Sequence, residues 1–170
     1  MAEFDINKVK GNDRFIAGGA VLLLLLSFFS WRSSSGIKGF GGGHVNMWGN
    51  GSYGWPKLAL LLALVAGAAV IARLMGALDS VQLPAGVNLI TLAASGLATV
   101  ILLLQFLTGF DSAGVGDFKV SVHPGFGYYL GLVVSAGMTY FAFLNFKASG
   151  EEIPNLPQGG STPPPPPPAP

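Results

Sequence analysis

The side chains best suited to hold a metal are His44, His123, Asp111 and Asp117. A metal site needs three or four ligands converging on one point. Here the two histidines share no short-range motif, so the sequence assigns no metal ligand. Cysteine is absent, which excludes disulfides, thiolate catalysis and Cys-ligated metals. There is no Gly-rich phosphate loop, no HExxH and no GxSxG. Two loop histidines are the whole residue-level case for an enzyme acting on lipid. The sequence therefore reads as non-enzymatic, with no catalytic residue and no cofactor. Asn50-Gly51-Ser52 matches the glycosylation sequon, which matters only in a secretory eukaryotic cell.

Polar residues do form a pattern further on. Asn88, Thr91, Ser95 and Thr99 follow spacings of three and four and so share one helical face, with Gln105 beside it. Leu89, Leu97, Val100, Ile101 and Leu104 occupy the other side. In lipid such a polar face turns inward, where hydroxyls and amides find partners. It is either a helix-packing seam or the lining of a cavity for a polar ligand or headgroup. Ala59, Ala63 and Gly67 recur at intervals of four, as do Gly127, Gly131 and Ser135, and both sets have the small-xxx-small form of helix seams. They fit a tight bundle or a homo-oligomer. Arg73 interrupts an apolar segment about one turn before its end. A long side chain there is expected to snorkel to the headgroups; the functional alternative is a buried counter-charge.

The elements that carry these residues follow from composition. Of 170 residues, 51% are hydrophobic and 10% charged, against about 25% charged in a soluble domain. Net charge is +1 and no Lys/Arg run marks a nucleic-acid surface. A spanning helix needs about 20 mostly apolar residues. Four stretches qualify: residues 15–31, 58–78, 87–110 and 126–146. The sequence thus predicts an all-α membrane protein, a four-helix transmembrane bundle with a disordered C-terminal tail. The first stretch reads as an uncleaved signal anchor, since no small-x-small cleavage site follows it. Residues 1–14 form a short cytoplasmic or interfacial segment. Spans two to four are almost uncharged, which argues against an ion-coupled transporter.

The loops differ in kind. Residues 32–56 are glycine-rich, favouring neither helix nor a good strand. Trp31, Trp48, Tyr53 and Trp55 favour the membrane–water boundary, so this loop is expected to fold back on the bilayer surface. Pro56 suits the first turn of the second helix. Residues 79–86 are a tight link, making helices two and three antiparallel neighbours. In the third loop, Phe118, Val120 and Val122 alternate with Lys119, Ser121 and His123. That period of two allows a short strand, which needs a partner from the first loop. Residues 147–170 lack the means to build a core and hold a polyproline stretch, Pro163, Pro164, Pro165, Pro166, Pro167 and Pro168. Four spans put both termini on one side. Lys8, Lys10, Arg14, Arg73 and Lys147 against Arg32, Lys38, Lys57 and Lys119 favour the cytoplasmic side.

The opening FDINKVKGNDRFIAGGAVLLLLLSFFSW, the Gly-rich loop at 32–55, three further helices and the tail after Ser149 resemble an arrangement in small, uncharacterised actinobacterial membrane proteins. The architecture is loosely similar to that of the mycobacterial thirty-four-kilodalton antigen family, whose tail is longer. The resemblance implies a multi-pass protein of the bacterial inner (plasma) membrane and transfers no functional residue. The expected function is a scaffold or interaction module in contact with lipid, presenting its tail to a cytoplasmic protein. The alternative is a small oligomeric channel or transport subunit lined by the Ser95–Thr99 face.

Overall fold

The computed structural model describes residues 11–34, 42–49, 54–78, 85–110, 113–115 and 118–151. The sequon at 50–52, Tyr53, Asp111, Asp117 and the proline run at 163–168 lie outside the described residues.

Four helices account for most of the described residues: α1 (Gly11–Leu26), α2 (Gly54–Leu74), α3 (Val87–Thr108) and α4 (Phe126–Ser149). The last three are long and apolar enough to cross a membrane. The first helix differs from its expected range of 15–31. It begins four residues earlier and stops at Leu26, giving 16 residues, or about 24 Å at 1.5 Å per residue. Its end has a local cause. The Trp31 indole Nε1–H donates to the Leu26 carbonyl at 2.7 Å, and the Phe29 amide donates to the same oxygen at 3.1 Å. Carbonyls orphaned at a helix end need such donors. The aromatic residues that prolong the hydropathy run therefore close the helix and do not extend it.

Beyond that turn the chain enters β1 (Ser30–Ser34), which pairs antiparallel with β2 (His44–Asn46) on one side and β5 (Val122–Pro124) on the other. The alternating stretch of the third loop is thus split between two sheets: the first loop supplies the partner for Val122–Pro124 only, and Phe118–Val120 pairs within the third loop itself. A second, two-stranded hairpin joins β3 (Ala113–Val115) to β4 (Phe118–Val120). The first loop does more than lie on a surface, because Trp31 and Met47 are fully buried. Trp48 and Trp55 stay exposed, as boundary residues would.

The second helix starts four residues before its expected first residue and ends four before its expected last. Gly76 at φ 68° closes it, with the Ala77 amide on the Ala72 carbonyl and the Gly76 amide on the Arg73 carbonyl, both at 3.0 Å. This is a left-handed glycine stop of the Schellman kind. The helices form a four-cornered bundle in which α1 and α3 each pack against α2 and α4. Ala59, Ala63, Ala66, Ala94, Ala98 and Ala142 are buried between them. At Gly67 a Cβ would lie 2.5 Å from the Ala20 Cβ, so that position lets α1 approach α2 closely. The outward faces carry Leu61, Val65, Leu97, Leu104, Leu107, Val133 and Phe143. An apolar exterior around a core holding Asp13, Ser95, Thr99, Ser135 and Asn145 is the arrangement suited to a lipid solvent.

Candidate functional site

The densest polar chemistry gathers where α1 and α3 begin and α2 and α4 end. Asp13, in the first turn of α1, is 2% exposed. Its Oδ1 accepts from Arg73 Nη2 at 2.6 Å and from Asn145 Nδ2 at 2.7 Å. Asn12 Nδ2 donates to Asn145 Oδ1 at 3.1 Å. Arg73 Nη1 donates to Asn88 Oδ1, and Asn88 Nδ2 donates to Glu151 Oε1 at 2.8 Å. The network therefore runs from α1 to α2, from α2 to α3, and from α3 to the residue just past α4. Beside it lies a cavity of about 330 Å³ bounded by Asn12, Asp13, Arg73, Asn88, Asn145 and Ser149.

Each charge here has a physical reason for its place. A carboxylate in the first turn of a helix meets the positive end of the helix dipole, as Asp13 does in α1. Glu151 does the same for α3 from outside: its oxygens accept from the backbone amides of Asn88 at 3.4 Å and Leu89 at 3.0 Å. The carboxylate occupies the space that a Cβ on Gly86 would need. Gly150 at φ 67° ends α4 and turns the chain so that Glu151 can reach α3.

Arg73 does not snorkel away from the bundle; it is turned inward and paired with Asp13. An apolar helix carrying one cation next to a buried carboxylate gains more from pairing than from partial hydration of the cation alone. Sequence reasoning singled out neither Asp13, Asn145 nor Glu151. One signal was present: Asn145 stands alone in the aromatic run FAFLNF, and a lone amide in such a helix must find a partner inside the protein.

The polar stripe of α3 divides into three. Asn88 belongs to the cluster just described. Thr91, Ser95 and Thr99 are buried and donate back to the carbonyls of Val87, Thr91 and Ser95 at 2.8, 2.8 and 3.1 Å. Thr99 also meets Ser135 at 2.7 Å and Thr139 at 2.9 Å across to α4. These hydroxyls form a seam between helices. Gln105 sits towards the far end of α3, is buried, and its Oε1 has no hydrogen-bond partner among the described residues. Such an unmade bond costs about 1–3 kcal/mol.

The glycine set of α4 does something other than seat a second helix. A Cβ on Gly131 would lie 2.7 Å from Trp31 Cη2, and one on Gly127 3.1 Å from the Trp31 ring. Gly127 and Gly131 make a slot for that indole, while Ser135 alone of the set serves the seam with α3. The indole meets Tyr128 edge-on at 5.6 Å between centroids.

The sheet brings the two histidines into register, since His44 and His123 both lie opposite Ser33, one on each side of it. Directly opposed residues share a face of the sheet. No group of three metal-ligating side chains forms among the described residues. No protein-family model, curated protein or solved structure matches this chain.

Proposed function

We propose that the protein is a non-enzymatic membrane module: a bundle of four spanning helices that fixes the root of a proline-rich tail and offers that tail to cytoplasmic partners. The supporting observation is the seat of Glu151. Its carboxylate, at the root of the tail, is held on the N-terminus of α3 and linked through Asn88 and Arg73 to Asp13 of α1. Polar groups at this end are spent on one another across the helices, as a staple would spend them. A run of consecutive prolines, as at 163–168, intrinsically favours the extended polyproline II form, so docking it in an aromatic groove would cost little entropy.

The first helix joins the other three as a span in this reading. Its described part, about 24 Å, falls short of the hydrocarbon thickness of about 30 Å, and the exposed Phe28 and Phe29 continue the apolar path. The membrane is the bacterial plasma membrane, with both ends of the chain on the cytoplasmic side. The channel alternative draws no support from α3, whose hydroxyls bond within the helix and to α4.

The test is a pull-down from the native membrane with residues 152–170 deleted. Loss of the partners captured by the full chain is expected; retention of every one would sink the proposal. Because the chain has no cysteine, single cysteines at Ser34, Ser80, Ser112 and Ser161 report orientation. Labelling from outside intact cells is expected at Ser34 and Ser112 only.

A further inference from the structure

A second cavity, of about 460 Å³, lies at the end of the bundle away from Asp13. Arg32 of β1, Trp55 of α2, and Ile101, Leu104, Gln105 and Thr108 of α3 line it. Leu104 and Trp55 are both more than half exposed, so the cavity wall runs into the apolar exterior of the bundle. Its interior is different. Gln105 is 8% exposed, and its Oε1 is the one buried side-chain oxygen or nitrogen without a partner among the described residues. Oε1 is itself buried behind the wall, but rotation about the Cγ–Cδ bond that carries the amide is soft, so this acceptor can turn to a donor that enters. Arg32, whose guanidinium carbon lies 5.5 Å from the Phe110 ring centroid, brings N–H donors to the same wall. Guanidinium donors match phosphate oxygens.

An acceptor that can turn in from the wall, a guanidinium beside it and an apolar exit onto the exterior describe an amphiphile. We propose that this cavity holds one glycerophospholipid whose headgroup carries an O–H or N–H donor. The donor bonds Gln105 Oε1, the phosphate faces Arg32, and the two acyl chains leave along Leu104 and Trp55. Phosphatidylglycerol and phosphatidylethanolamine meet the requirement. Phosphatidylcholine does not, because its quaternary ammonium has no N–H. The inference rests on the membrane reading, which the cysteine labels test separately.

The experiment takes the full chain in a maltoside detergent with an equimolar mixture of the dioleoyl forms of these three lipids. Native mass spectrometry counts the adducts retained. One satisfied acceptor corresponds to a preference of about tenfold, or 1.4 kcal/mol, for a donor-bearing lipid over phosphatidylcholine. Preference for either donor-bearing lipid supports the site, and which one wins separates hydroxyl from ammonium. Gln105→Leu is expected to bring the three lipids to parity while far-UV circular dichroism stays unchanged. Equal retention of the three by the wild-type chain overturns the proposal without any variant, and means that water or a side chain satisfies Gln105. A preference that survives Gln105→Leu in a folded protein overturns it equally.

Discussion

Removing either partner of the Asp13–Arg73 pair should destabilise the bundle, but by unequal amounts. The two side chains differ in exposure, 3% for Asp13 against 28% for Arg73. Breaking a buried pair from one side costs about 3–5 kcal/mol, because the remaining charge is left uncompensated. Arg73→Leu strands a carboxylate that keeps, among the described residues, only its bond from Asn145, so its cost should fall near the middle of that range, about 4 kcal/mol. Asp13→Leu strands a guanidinium that already reaches water and keeps its bond to Asn88. Its long stem can swing the head outward. That cost should fall to about 2 kcal/mol, much of it the Asn145 amide left without an acceptor. The double variant replaces both charges with apolar bulk, which is often near neutral. It should therefore lie close to the Asp13 single variant, far from the sum of the two. The assay is unfolding of the purified chain in mixed maltoside–dodecyl sulfate micelles, followed by far-UV circular dichroism and tryptophan fluorescence. The staple described here would be refuted if Asp13→Leu proved as damaging as Arg73→Leu, or if the two costs simply added.

Two further outcomes follow from local geometry. Gly131→Leu drives a side chain into the Trp31 indole; it should cost about 2 kcal/mol by overpacking and shift tryptophan emission to the red, whereas Gly137→Leu, with no atom within 4 Å of its Cβ, should do neither. Glu151→Ala removes the acceptor for the Asn88 and Leu89 amides, worth about 1 kcal/mol as a capping carboxylate; amide exchange at those two residues should quicken about fivefold, with Ser95 unaffected.

Hydropathy located the helices because apolar length is a property of the chain alone. The start of α3 at Val87 and of α4 at Phe126 are both where the run of apolar residues begins. The ends of α1 and α2 were missed for one shared reason. Phe28, Phe29, Met75 and Leu78 are apolar enough to continue a helix, yet a capping indole stops α1 and a left-handed glycine stops α2. Hydropathy does not register either device. The period of two in the third loop was legible, and so was its need for a partner, but the register against Ser33 was not.

The site divides in the same way. That Thr91, Ser95 and Thr99 share one inward face follows from a repeat of 3.6 residues per turn, and the sequence by itself determined it. Which groups answer them is a matter of which helices touch. Asp13 and Arg73 are sixty residues apart, and Asp13 and Asn145 one hundred and thirty-two. No local spacing relates them. Only the tertiary structure, by setting α1 against both α2 and α4, decided that a cation fit for the headgroups should turn inward to a carboxylate. Burial makes that choice: once Asp13 has lost its water, its most favourable remaining partners are the donors that the neighbouring helices bring to it.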